Sequence, residues 1–362
     1  MNVTIVGANG EVGLSTITAL TASSTKFNLT AIVRPASINK PEIETIKQKG
    51  VSVVPINLEN NHEELVKVLT GQDVVISGLV PFSPAPEIAL ANAAKEAGVK
   101  RFVPSSFGPS CPPSGVMLLR EFKEIIINHV KKIYLPYTVI DVGLWYQGTL
   151  PSLPSGKIDY AVKFPATVIA EDGSRATAVT DLRDVGKYVA EIITDERTLN
   201  KYVFAYNEVW TQEQIFSHLE KLSGEKIPRN LMATKDIKAT IATAQAAYDQ
   251  GDKSLPFIFG LAVPQYLYCE WFRQDNLPES ATYLGYLSTK DLYPDFEAIK
   301  YVDYVDEVLA GKGKSIYANH GWLKTELVPF LLPNGGLLLA APPACTIDIE
   351  TSWRRLWGQN FC

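Results

Sequence analysis

The stretch Val3-Thr-Ile-Val6-Gly7-Ala-Asn-Gly10-Glu-Val-Gly13 runs from an apolar strand into a glycine turn and then into a helix that Glu11 to Leu20 can form. A helix opening there leaves its first N–H groups without intrahelical acceptors, and these favour an anion. Gly7 and Gly10 allow backbone conformations and a close approach that a Cβ would obstruct, while Gly13 lets the helix lie near its strand. Strand, turn and helix in this order predict a dinucleotide pyrophosphate as ligand. Asn9, Glu11 and Val12 join the three glycines as candidate cofactor contacts.

The second strand selects among nucleotides. Phe27-Asn-Leu-Thr-Ala-Ile-Val33 ends in Arg34-Pro35, where an NAD site would be expected to place a carboxylate against the ribose 2′-hydroxyl. Arg34 instead suits a 2′-phosphate, with Lys40 as a second cation, so the expected cofactor is NADPH. The bland alternative for either cation is a solvated surface charge, and for Lys40 it is the stronger one.

Strands at Val51–Ile56, Asp73–Ser77, Arg101–Pro104 and Tyr137–Val142 alternate with helices at His62–Leu69, Glu87–Ala97 and Val116–Lys132. Such alternation predicts an α/β, Rossmann-type doubly wound parallel sheet with chemistry at the carboxyl ends of the strands. Val179–Thr194 and Tyr202–Phe204 return to that sheet. The expected organisation is therefore a nucleotide domain over 1–155, completed by about 179–205. A smaller, mostly C-terminal substrate-binding region over 156–178 and 206–310 follows, then an extension of unknown role over 311–362.

One charge in the first half is out of place. If Val116 to Lys132 is helical, Lys123 lies in line with Val116, Leu119, Ile126, Ile127 and Val130, while Arg120, Glu121, Lys131 and Lys132 lie off that stripe. A lysine on a buried face loses hydration and tends toward a lowered pKa, as an amine exchanging protons near neutrality requires. The competing reading is a side chain that snorkels to the surface.

With these segments in view, the chain resembles the NmrA-like, isoflavone-reductase-like group of atypical short-chain dehydrogenases/reductases. The resemblance rests on Gly7-x-x-Gly10-x-x-Gly13, Val33-Arg34, Asp73-Val-Val-Ile-Ser77, Lys100-Arg-Phe102, Pro104-Ser-Ser-Phe-Gly108, Lys123 and Leu135-Pro-Tyr-Thr138. It continues through Asp184-Val-Gly186 and Leu292-Tyr-Pro-Asp295 and covers about residues 1 to 310. It implies that Lys123, twelve residues before Leu135, is the catalytic residue. It also implies that Ser77, Ser105 and Phe107 lie by the cofactor's ribose and nicotinamide. Two departures stand out: Ser106 occupies a position where plant members commonly carry Glu, and Leu119 stands where a Tyr-x-x-x-Lys pair would need tyrosine. The usual tyrosine acid is therefore not expected.

The substrate side begins at Gly143-Leu-Trp-Tyr-Gln147, where Trp145 and Tyr146 either line a pocket or fill core. The stripe Tyr266, Tyr268, Trp271, Phe272 carries the same two readings. A net charge of −5 argues against nucleic acid, and the apolar run Val328–Ala341 is too short and interrupted to span a bilayer. Four scattered cysteines and four scattered histidines give no metal-ligand spacing, so no metal is expected. No signal peptide is read at the start, and the expected setting is cytoplasmic. The expected protein is a monomer or homodimer that reduces a bulky, apolar, aromatic small molecule with NADPH, with Lys123 assisting. A non-redox isomerase or cyclase, and an NADP-sensing regulator like NmrA, are the alternatives.

Overall fold

The computed structural model describes residues 1–251, 253–317, 328–331 and 337–340. The first half alternates strand and helix: β1 Asn2–Val6, α1 Glu11–Ala22, β2 Asn28–Val33, α2 Pro41–Gln48, β3 Ser52–Pro55, α3 His62–Leu69, β4 Val74–Ser77, α4 Ala85–Glu96, β5 Arg101–Val103, α5 Leu118–Lys132 and β6 Thr138–Asp141. The strands β3-β2-β1-β4-β5 form one parallel sheet. A parallel bridge from Phe102 to Tyr137 carries it toward β6.

Beyond β6 come β7 Leu144–Trp145, β8 Ile169–Ala170, β9 Ala176–Thr180, α6 Leu182–Thr194, β10 Lys201–Phe204, β11 Glu208–Thr211, α7 Gln212–Ser223, β12 Leu231–Met232, α8 Thr234–Gln250 and α9 Leu255–Leu267. A π-helical turn at Tyr268–Phe272 continues α9. Then follow α10 Pro278–Tyr283, β13 Tyr286–Ser288, α11 Thr289–Leu292 and α12 Tyr301–Leu309. β10 pairs in parallel with both β6 and β13, so after α6 the chain returns beside β6.

Side-chain alternation along the strands builds a core on each face. Val3, Ile5, Val74 and Ile76 meet α1, α2 and α6, while Val6, Ile32, Val75 and Phe102 meet α3, α4 and α5. α1 and α6 pack with almost no space between them: a Cβ on Gly186 would stand 2.2 Å from the Ser15 carbonyl oxygen. Ser15 uses that approach, donating its hydroxyl to Leu182 O and accepting from Gly186 N. A third core joins Tyr146, Leu150, Phe216, Leu219, Ile237, Trp271 and Tyr301.

Several boundaries differ from the sequence reading. α2 follows Pro41, whose ring suits the first helical turn, although its eight residues carry too little periodicity to stand out. α7 begins at a reciprocal capping box formed by Thr211 and Gln214. Residues 312–317 do not leave the molecule: Ile316 packs in the nucleotide-side core and Gly313 N donates to the Tyr160 hydroxyl. Gly186→Ala is expected to cost about 1–3 kcal/mol by forcing α1 and α6 apart. An unchanged urea midpoint would contradict the close packing.

Candidate functional site

The site gathers where β1, β4, β5 and β6 end. Gly7 has φ +77°, and a Cβ there would lie 2.5 Å from Gly78 O; at Gly13 a Cβ would lie 2.4 Å from Gly7 O. Only glycine fits both positions, and the turn they form presents the start of α1 as an anion site. Gly10 N closes the turn onto Gly7 O at 2.9 Å. Asn9 and Val12 flank this turn, partly exposed. The Glu11 carboxylate accepts the Tyr317 N–H at 2.6 Å, so the chain beyond α12 crosses the head of α1.

Arg34 is exposed at the end of β2, and Lys40 is exposed at the start of α2. Among the described residues no hydrogen bond or ion pair engages the Arg34 side chain. Ser77 is fully buried at the end of β4, and Ser105 donates its hydroxyl to Leu79 O. Phe107 is buried with φ +37°, a conformation a bulky side chain seldom adopts. Its N–H donates to Ile140 O at 2.8 Å, which holds the strained turn against β6.

Lys123 is buried, not snorkelling, with 8% of its surface exposed. Its Nζ donates to Ser106 O at 2.5 Å. Burial is the main cause pushing its pKa down to about 8; neighbouring Arg120 adds to this, while Asp141 and Glu87 oppose it. At neutral pH the amine is thus mostly protonated and close to its titration point.

Four further charged groups build this environment, and the sequence reading did not single them out as site residues. Arg120 reads as an off-stripe position, yet it is buried, and so is Glu124 one turn on. Arg120 donates to Glu124 Oε1 and, at 2.6 Å, to Asp141 Oδ2. Asp141, fully buried, also accepts from the Ser106 hydroxyl and from the Tyr286 hydroxyl at 2.5 Å. Glu87 accepts the Ser105 N–H at 2.7 Å; desolvation raises its pKa to about 7, against the backbone hydrogen bond and the Lys123 charge. The signal for Glu87 was present: with Leu90, Ala91 and Ala94 it forms the buried stripe of α4.

The predicted substrate residues separate. Trp145 is partly exposed, and its ring lies 6.2 Å from that of Tyr317. Tyr146 turns the other way, fully buried, its hydroxyl donating to Ile299 O and its ring packed on Tyr301 and Tyr304. It stands in the third core instead of on an open wall, because β7 ends at Trp145 and the chain turns at Tyr146–Gly148 in a short 3-10 helix. Trp271 and Phe272 are core as well, while Tyr266 reaches the site. A cavity of about 300 Å³ beside Val116, Ile241, Gln265 and Tyr268 lies apart from Lys123 and shares none of its neighbours. Cys111 and Cys269, scattered in sequence, meet beside Asp275 in the fold, but Asp275 is already paired with Arg273 at 2.7 Å.

An NmrA-like family model matches residues 1–258. The chain belongs to the NmrA-like family. An asnovolin J 5',6'-dehydrogenase of Aspergillus novofumigatus is 42% identical over 314 residues, covering 86% of this chain and 96% of that protein. A pinoresinol reductase of Arabidopsis thaliana is 28% identical, covering 69% and 83%. Among solved structures, a leucoanthocyanidin reductase–NADPH complex from Vitis vinifera superposes with a TM-score of 0.68 at 22% identity, over 86% of this chain and all of that one. This NmrA-like chain therefore shares the reductase fold, with the glycine turn and Lys123 at the carboxyl edge of the sheet.

The buried charges around Lys123 make a direct stability prediction. Removing the carboxylate with Asp141→Ala leaves the buried Arg120 guanidinium paired with Glu124 alone and takes the acceptor from the Ser106 and Tyr286 hydroxyls, and is expected to cost about 3–5 kcal/mol. Chemical denaturation measures this, and a loss below 1 kcal/mol would show that the network is not held as described.

Proposed function

We propose that this chain is an NADPH-dependent oxidoreductase of secondary metabolism acting on a bulky, apolar, aromatic natural product. The observation that carries the reading is the buried Lys123 amine, perturbed to about 8, at the strand edge next to a glycine turn built for a dinucleotide. Its support from similarity is the family itself, with a named dehydrogenase and several named reductases among the relatives.

The residues present fit such a cofactor. Gly7, Gly10 and Gly13 clear the backbone for the pyrophosphate at the α1 N-terminus, and Asn9, Glu11 and Val12 border it. Arg34, with Lys40 farther out, meets a 2′-phosphate, while Ser77, Ser105 and Phe107 border the ribose and nicotinamide. Bound there, NADPH supplies a hydride. Lys123 holds the exchangeable proton: as an ammonium it donates to the substrate during reduction, and as an amine it accepts during the reverse oxidation. Glu87 and the Ser106 carbonyl keep the charged form available inside the protein, and Trp145 gives an aromatic face to an aromatic substrate.

Lys123→Ala is expected to lower turnover about 10²-fold or more while dinucleotide affinity stays nearly constant, since the glycine turn is untouched. Full activity in this variant would refute the role. The sign with pH follows from the protonation states: reduction should decline as pH rises through about 8, and oxidation should increase through the same range. Product formed in a lysine-dependent way without NADPH consumption would move the assignment to an isomerase or cyclase.

Arg34 governs the nucleotide. Calorimetric titration should give tighter binding of NADPH than of NADH by about 1.5–3 kcal/mol, the size of a charge-assisted contact. Arg34→Ala should remove most of that difference. A preference that survives the substitution would assign the 2′-phosphate to other groups.

A further inference from the structure

The Tyr-x-x-x-Lys pairing is absent from α5, yet a tyrosine hydroxyl does reach Lys123, from far along the chain. Gly108 marks the meeting point. A Cβ built there would lie 3.1 Å from Lys123 Nζ and 3.8 Å from Tyr266 Oη, so both groups look onto the same spot above the Ser106–Gly108 turn. Tyr266 comes from the last turn of α9, just before the π-helical turn at Tyr268–Phe272, a local irregularity that re-aims side chains at the end of a helix.

Tyr266 is held by its ring and left free at its tip. The ring packs among Cys111, Met117 and Cys269 on one side and the Phe82, Leu119 and Phe122 cluster on the other. Its side chain is partly exposed, so the ring is not wholly enclosed by these clusters. Among the described residues no group hydrogen-bonds its hydroxyl. One turn on, the buried Glu270 carries an Oε1 with no hydrogen-bond partner among the described residues. Buried polar atoms are seldom left without such a partner.

We propose that Tyr266 is a second catalytic donor, its hydroxyl and the Lys123 ammonium together cradling a substrate oxygen that becomes anionic during the reaction. This rests on the oxidoreductase reading and narrows its substrate to one whose reacting carbons are conjugated with a carbonyl. A hydride from reduced nicotinamide forms a C–H bond at the carbon β to that carbonyl, and the electron pair of the C=C bond shifts until the carbonyl oxygen carries the negative charge. The Lys123 ammonium passes its proton to that oxygen, and the enol then takes a proton from water at the α carbon and releases its hydroxyl proton to solvent, which restores the carbonyl, leaves the saturated product and allows the lysine to be reprotonated. Two donors aimed at the oxygen, one of them charged and both set in a site with little water, stabilise the anion more than they stabilise the neutral substrate.

A phenolate reproduces such an oxyanion without turnover, so 4-nitrophenol is the probe, added to the full-length protein in its NADP⁺ complex at a pH below the phenol's own titration. The phenolate absorption band should grow on binding. Tyr266→Phe should weaken phenolate binding about tenfold or more, the scale of one lost hydrogen bond to an anion, while NADP⁺ affinity is kept; Lys123→Met should weaken it further. If Tyr266→Phe binds the phenolate as tightly as the wild type while Lys123→Met does not, the tyrosine is refuted and the lysine reading stands. No phenolate binding by the wild-type complex refutes the cradle. Absence of NADP⁺ binding, measured separately by calorimetry, fails the parent reading. Should Tyr266→Phe not fold, the ζ-carbon resonance of Tyr266 in the wild type serves instead: it should move on addition of the phenol, and a stationary resonance overturns the proposal.

Discussion

One buried carboxylate holds the site together. Asp141 ends β6 and accepts from three donors brought by three separate parts of the chain: Ser106 from the loop after β5, Arg120 from α5 and Tyr286 from β13. An ion pair in this setting is costly to desolvate and gains little net stability, but removing one partner leaves a stranded charge. Its value is therefore geometric. It fixes α5, which carries Lys123, against the loop whose Ser106 carbonyl receives the Lys123 proton. It also adds a nearby negative charge that limits how far burial can lower the lysine pKa. Too little compensation would leave the amine neutral at all useful pH values; a full partner would hold it charged.

The same loop is pinned from its other side. Ser110 N donates to Asn276 Oδ1 and the Ser110 hydroxyl to Asp275 O, while the Asn276 amide donates to Thr177 Oγ1 and Ala178 O. Residues 105–111 are thus fixed between the sheet and the C-terminal half, which explains how Phe107 keeps a positive φ. That conformation costs free energy, repaid by the surrounding hydrogen bonds. The C-terminal half contributes more than a wall: Tyr266, Tyr286 and Asn276 reach the region where β5 and β6 end, and Tyr317 reaches the head of α1.

Much of this was legible in order along the chain. The glycine spacing, the strand alternation and the place of Arg34 follow from local rules, and so does Lys123, whose charge interrupts an apolar stripe. Glu87 obeys the same rule on α4 and was equally readable. Arg120 and Asp141 were not, because a salt bridge between a helix flank and a strand end depends on the packing of α5 over β6, which periodicity does not contain. Tyr266 was read only as part of an aromatic stripe; its separation from Trp271 and Phe272 arises from the π-helical turn, which changes the angular step between them. Tyr146 could be read as wall or core, and the 3-10 turn that carries it into the core after Trp145 leaves no periodic signal in the sequence.

Everything in the site serves to hold one amine buried and nearly balanced between its two protonation states. The most direct measurement is therefore the titration of Lys123 itself, followed by the ¹⁵Nζ resonance in lysine-labelled protein and assigned with Lys123→Arg. The geometry predicts a midpoint of about 8. A midpoint at the ordinary lysine value of about 10.4 would mean that the amine is solvated and that the proton-exchange role is wrong.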